Sequence, residues 1–418
     1  MNEILSFWAQ WLRPSAGLPT VQWSLLLAVA AIASYLCQRH TGLPKVVGYS
    51  LVGTAAGLAG FSGAVWPLQG IGLFLLELGI SIVLFECGGR IPLRWFRHNP
   101  MVLVQSIAES ALTYFAVYWV LIWLKLPVAA AGPLALVALA ASPAVLTRVV
   151  ADTRAAGPVT ERAIVLATLS TLYALTLGSA RAEQINRQSV TLLDTMYPVV
   201  VVLGVSIIVA AVLSLALRMA LRFMSPTSEN TSMLLLALIA AATAVAAHMG
   251  GSAPLAALLG GMLLKQLNPR PWAWPRQLGN ASSLLTMLMF VLVSTVAAQA
   301  DWSGPVVGVV LTLIAVRLAA KAVGVGLGNV GSGASWRQAL WVGCAMTPMS
   351  SIALLIASQF VVASPSTGHL IARVALPAIL LMEVLGAVIA TVAIYRAGES
   401  SKPWAPLSRG GNGDRSES

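Results

Sequence analysis

Along most of its length this chain is written in apolar runs of about twenty residues, each closed by a charge, a proline or a glycine. A helix of that length matches the hydrocarbon thickness of a bilayer. Lipid admits only segments whose backbone hydrogen bonds are made internally, so the chain is restricted to transmembrane helices. About thirteen runs count as spans: roughly 22 to 38, 43 to 61, 68 to 88, 100 to 123, 128 to 150, 160 to 180, 193 to 216, 232 to 248, 252 to 266, 280 to 299, 304 to 328, 337 to 360 and 368 to 396. The eighth and ninth are short and divided only by His248-Met249-Gly250-Gly251. Only 9% of the 418 residues are charged, against about 25% in soluble domains, which leaves an all-α polytopic membrane protein as the class.

The basic residues orient these spans. With the first end outside, 18 of the 25 Lys and Arg fall on one face, five on the other (Arg13, Lys125, Arg181, Arg187, Arg373) and two inside a span (Arg317, Lys321). The positive-inside rule puts the crowded face in the cytoplasm, with the N-terminus outside and the C-terminus inside. The same distribution accounts for the net charge of +11 without nucleic acid, because the charges sit at helix ends and not in a patch interleaved with aromatics. Residues 1–396 read as one transporter domain and 397–418, rich in Gly and Ser with mixed charge, as a disordered cytoplasmic tail. Met1 to Pro19, polar and carrying Trp8 and Trp11, reads as an interfacial lead-in and not a cleavable signal.

Several chemistries are disfavoured. Cys37, Cys87 and Cys344 each lie inside an apolar run, with neither disulfide nor metal spacing, and read as packing residues. The four histidines (His40, His98, His248, His369) lie near span ends, and no metal-binding histidine pair or nucleophile elbow occurs. No cofactor or metal is expected, and a membrane enzyme is the least favoured class. The glycine-rich stretch Gly326 to Ser335 lacks the Lys-Ser or Lys-Thr of a phosphate loop and reads as a flexible connection.

Two prolines stand out because they match. Ala141-Ser142-Pro143-Ala144 interrupts the fifth run and Met346-Thr347-Pro348-Met349 the twelfth. A proline inside a helix removes one hydrogen bond and crowds the preceding turn. In lipid, the freed groups must be buried in protein or face a watery cavity. Matched breaks in two halves of a membrane protein predict two inverted repeats whose broken helices cross at a transport site. Partial charges at the half-helix ends then call for balancing side chains.

Charges inside spans are costly, so each needs a reason. Glu77 and Glu86 lie on the third span, Glu109 on the fourth, Arg317 and Lys321 on the eleventh and Glu383 on the thirteenth. Glu86 reads as a partner of Arg90 or Arg94. Glu77 and Glu109 are open between a structural role and ion handling. Arg317 and Lys321, four apart, share a helix face and read either as braces for the freed carbonyls or as part of the site. Glu383 reads as a packing polar residue or a site acid, and His248 as interfacial. Ser170 and Thr171, on the span after the first break, read as site hydroxyls or as hydroxyls bonding back to their own helix.

Taken together, these residues resemble the cation:proton antiporters, the bacterial sodium/proton and potassium/proton exchangers. Thr41-Gly42-Leu43-Pro44-Lys45 through Gly53 and Gly57 is similar to the family's second-helix signature, and Leu75-Leu76-Glu77 through Glu86-Cys87-Gly88-Gly89 to its third. Ser142-Pro143 matches the first broken helix, Ser252 to Leu264 the Gly-Ala-rich helix before the second repeat, Arg317 the basic residue of the eleventh span and Thr347-Pro348 the second break. The resemblance runs from about residue 40 to about residue 390. It implies a homodimer in the bacterial inner membrane, with core helices at roughly 100–180 and 304–396 moving against a dimerisation scaffold.

The sequence departs from the family at one place. Where the family carries Asn-Asp or Asp-Asp, this chain has Ser170-Thr171, and a hydroxyl does not titrate in the range that exchanges H⁺ for Na⁺ or K⁺. Three readings follow: exchange of a monovalent cation for H⁺ with the acid relocated to Glu109 or Glu383, transport of a small anionic or neutral solute, and a non-transporting scaffold or sensor. Candidate site residues are Ser142, Ser170, Thr171, Arg317, Lys321, Thr347, Glu109 and Glu383, with Pro143 and Pro348 at the breaks. The distance from Arg317 and Lys321 to a carboxylate decides between the first two.

Overall fold

A computed structural model describes residues 18–61, 70–91, 93, 96, 99–187, 192–225, 228–268, 276–300, 302–349 and 351–401. The expected lead-in before residue 18 and the tail after residue 401 lie outside the described residues. Everything regular is helical: α1 (Leu18–Thr41), α2 (Lys45–Leu58), α3 (Gly70–Gly89), α4 (Pro100–Trp123), α5 (Val128–Leu139), α6 (Pro143–Thr153), α7 (Pro158–Arg187), α8 (Leu192–Phe223), α9 (Glu229–His248), α10 (Ala253–Leu267), α11 (Arg276–Ala298), α12 (Gly304–Leu327), α13 (Trp336–Ala345), α14 (Ser351–Ala363) and α15 (Pro365–Ala397). Among the described residues, eight segments are long and apolar enough to cross a membrane, fewer than the thirteen spans expected, and Ala253–Leu267, Ser282–Ala298 and Ser351–Ala363 are shorter apolar helices.

The two proline sites divide what the sequence shows as single runs. Ser142 is extended, as the residue before a proline prefers, and caps α6 by accepting the Val145 N–H at 3.3 Å, with Pro143 in the first turn. The second break separates α13 from α14. A capping box starts α13, in which Ser335 accepts the Gln338 N–H and the Gln338 side chain accepts the Ser335 N–H, at 3.2 and 3.0 Å. The stretch expected to be a flexible connection is different. α12 continues through Leu327, and the turn after it is pinned by Asn329 Nδ2 donating to the Ala334 carbonyl at 2.9 Å and Ser332 Oγ donating to Asn329 Oδ1 at 2.6 Å. Residues 397–401, expected to begin a disordered tail, pack against the start of α7. The Glu399 carboxylate accepts the Val159 and Thr160 N–H groups, both at 2.7 Å, at the start of α7, where helix N–H groups lack partners.

α4, α5, α7 and α12 to α15 pack around the two breaks, while α1 to α3 and α8 to α11 pack on one another. α15 touches both groups, through α2 and α11 on one side and α12, α13 and α14 on the other. The approach of α4 to α12 is closest where Gly324 and Gly328 face it: a Cβ on them would lie 2.5 Å from Glu109 Cα and 2.4 Å from Gln105 Cα. Small residues four apart let two membrane helices meet backbone to backbone, and Gln105 Nε2 donates to the Val325 carbonyl across the contact at 2.8 Å. Gly326, one residue pair away, has only Trp336 Cζ3, at 3.9 Å, within reach. Gly324→Ala is therefore expected to destabilise by about 1–3 kcal/mol, and Gly326→Ala to be neutral or to stabilise by about 0.5–1 kcal/mol. Thermal unfolding of both variants in detergent checks this; equal shifts would show that the close approach does not govern stability.

Candidate functional site

The last four carbonyls of a helix have no partner inside it, and those at the end of α5 lie in the protein interior, where an unmet carbonyl is costly. Side chains of two other helices meet them in sequence. Arg317 Nε donates to the Ala138 carbonyl at 2.7 Å and Arg317 Nη2 to Ala140 at 2.8 Å. Ser170 Oγ and Lys321 Nζ both donate to Leu139, at 2.8 and 3.3 Å. Thr171 Oγ1 reaches Ala141 at 2.9 Å and its own helix at Ala167 at 2.8 Å. Arg317 Nη1 then crosses to the second break, donating to the Thr347 carbonyl at 2.5 Å. One guanidinium, completely buried, thus ties both breaks together, and its charge sits against the negative ends of two half-helices.

Lys321, one turn along α12, meets a carboxylate. Its Nζ lies 2.5 Å from Glu109 Oε1, with both side chains fully buried, and 3.4 Å from Ser170 Oγ. Glu109 also accepts from Ser110 at 3.1 Å and from Thr113 at 3.3 Å, both on its own helix. Arg317 and Lys321 therefore divide the two readings between them: Arg317 is the brace, and Lys321 is half of an ion pair. The absence of an acid at Ser170-Thr171 does not leave Lys321 unbalanced, because α4 supplies one, while Arg317 is met by carbonyls. Ser170 and Thr171 are likewise more than hydroxyls bonding to their own helix; both donate to the first break.

The other candidates are distributed around this centre. Ser142 caps α6. Thr347 contributes its carbonyl, while its hydroxyl is buried without a partner. Glu383 is apart from the pair, on α15, accepting from Ser50 at 3.0 Å. Glu86 pairs with Arg90 at 2.7 Å, as expected. No cluster of metal-binding side chains occurs among the described residues. A largely apolar cavity of about 600 Å³ runs from Ser110 and Leu139, beside the ion pair, past Tyr114, Tyr118 and Tyr173 to Arg181 and Gln184 at the far end of α7. A second, of about 610 Å³, holds Glu77 and Glu183 between α3, α7, α8 and α14. Sequence reasoning missed Gln105, Ser110 and Thr113. Their spacing around Glu109 on one helix was the available signal.

This arrangement can be compared with known proteins. Among solved structures, the sodium proton antiporter MjNhaP1 from Methanocaldococcus jannaschii at pH 8 is similar with a TM-score of 0.70 and 15% sequence identity, over 91% of this chain and 98% of that one. An electron-microscopy map of the same antiporter gives 0.68 and 15% over 93% and 100%. At that identity the likeness concerns the fold. No curated protein matches the chain in sequence. Residues 26–396 match the model of the family described as sodium/hydrogen exchanger, transmembrane, and with nearly the whole membrane part so matched, the chain belongs to that family.

Proposed function

We propose that this chain exchanges a monovalent cation, Na⁺ or K⁺, for H⁺ by alternating access, with Glu109 as the cation-binding carboxylate and Lys321 as the group that gives up the proton. The observation that carries this is the fully buried contact of 2.5 Å between Lys321 Nζ and Glu109 Oε1 beside the first break. A cation arriving at Glu109 competes with the ammonium for the carboxylate. Once Lys321 loses its proton, the cation stands in its place and the charge of the pair is unchanged. Glu109 is then balanced by one cation in both loaded forms, which matters because an uncompensated charge in the membrane interior is costly. Family membership supports the reading, as does the name of the antiporter with a similar fold.

The anionic-solute reading loses its main support in the same geometry. Arg317 turns all three of its nitrogens to carbonyls and Lys321 is paired with Glu109, so neither of the two buried cations beside the breaks is turned toward an anion. On the antiport reading the helices around the breaks, at roughly 100–180 and 304–396, move as a core against the remainder, which forms the homodimer contact. The basic face is cytoplasmic, with the N-terminus outside and the C-terminus inside the bacterial inner membrane.

In proteoliposomes, Glu109→Gln is expected to abolish cation-driven proton movement. The double variant Glu109→Gln with Ser170→Asp is expected to restore part of it, since residue 170 already lies 3.4 Å from Lys321 Nζ. Full activity of Glu109→Gln would refute the assignment, and absence of cation-driven proton movement in the wild type would favour a scaffold or sensor. Binding provides a separate check. Na⁺ or K⁺ should raise the melting temperature of the wild type and not of Glu109→Gln; equal stabilisation would place the cation elsewhere.

A further inference from the structure

Glu383 is the one fully buried carboxylate that the exchange site does not use among the described residues. It lies in the seam where α15 meets α2 and α11. Ser50 of α2, itself completely buried, donates to its Oε1 at 3.0 Å. Its Oε2 has no hydrogen-bond partner within 3.5 Å, and neither has the Ser294 hydroxyl of α11, also completely buried, which stands next to the carboxyl. Among the described residues, no side chain of the elements packed against α15 pairs its charge with Glu383. α5 and α14 carry no titratable side chain. Lys45 and Tyr49 on α2, Arg148 and Asp152 on α6, Glu161, Arg162, Tyr173, Arg181 and Glu183 on α7, Arg337 and Cys344 on α13, and Arg317 and Lys321 on α12 form no hydrogen bond or ion pair with Glu383. Ser50 and Ser294 are the polar groups around it.

An ionised carboxylate shut away with two hydroxyls and no cation is costly. A carboxylic acid at the same place costs far less and has a proton to offer the idle Ser294 oxygen. The turn that holds Glu383 also touches the second break, because Gly386 packs so closely on Pro348 that a Cβ there would lie 2.6 Å from Pro348 Cα. Movement of the break relative to α2 and α11 therefore passes through this turn.

We propose that Glu383, with Ser50 and Ser294, is a second proton-binding site, separate from the Glu109–Lys321 pair, that locks the α15 seam. Glu383 takes a proton from water when the seam is open; as the acid it lets the seam shut, and as the carboxylate it holds the seam open. The inference rests on the antiport reading for the movement and on the seam geometry for the proton. It adds a requirement to the cycle: closure of the seam needs Glu383 protonated, so turnover slows as rising pH ionises it.

The test uses the full chain in proteoliposomes over a pH series, together with infrared difference spectra. Glu383→Gln keeps a neutral side chain that accepts from Ser50 and donates to Ser294. It is expected to retain exchange and to lose the alkaline decline of the wild type. The wild-type spectrum should carry a protonated-carboxyl band that fades at alkaline pH and is missing from Glu383→Gln. Ser294→Ala, which removes the hydroxyl beside the carboxyl, should shift the pH of the fading and of the decline together. An alkaline decline unchanged in Glu383→Gln, or a band that neither titrates nor depends on Glu383, overturns the proposal. The two readings fail separately: loss of function in Glu109→Gln concerns the exchange site, whereas the infrared titration judges the seam whether or not cations move.

Discussion

Everything at the centre of this protein depends on four consecutive carbonyls, those of Ala138 to Ala141, that the end of α5 leaves without helical partners. In a soluble protein water would meet them. In the middle of a membrane protein only side chains can, and here Arg317, Lys321, Ser170 and Thr171 do so in register. The break is therefore the feature that dictates which residues α7 and α12 must present.

That requirement supplies a physical reason for the departure from the family at Ser170-Thr171. An ionised aspartate accepts hydrogen bonds and cannot donate to a carbonyl, whereas a hydroxyl donates. With α7 committed to donors, the negative charge that Lys321 needs comes from α4. It reaches Lys321 because Gly324 and Gly328 let the α4 backbone come against α12. Backbone contact thus sets the position of a charge: the glycines carry no chemistry themselves but bring Glu109 within 2.5 Å of the ammonium.

The two cations on α12 have the same burial and opposite tasks. Arg317, planar and with several donors, spans three carbonyls from two breaks, a geometry a single ammonium does not cover. Lys321 is a point charge with a removable proton, which suits exchange. Interchanging them would place a permanent charge at the pair and a mobile one at the brace. A similar division separates the two buried acids: Glu109 has a cation beside it, and Glu383 has two hydroxyls.

The sequence by itself determined the all-helical membrane class and the two breaks. Runs of apolar residues about as long as a bilayer is thick permit little else, and Ser142-Pro143 and Thr347-Pro348 carry their consequences in local covalent geometry. It also marked Arg317, Lys321, Glu109 and Glu383 as residues in need of a partner, because charge within a span is costly wherever the span lies. What it did not decide was who pairs with whom. Glu109 and Lys321 are 212 positions apart, and no local rule distinguishes Glu109 from Glu383 as the acid for Lys321. Only the packing of α4 on α12, and of α15 against α2 and α11, made one carboxylate half of an ion pair and left the other alone with hydroxyls. The reason is distance: hydrogen bonds and ion pairs act over a few ångströms, and that separation is a property of the assembled helices.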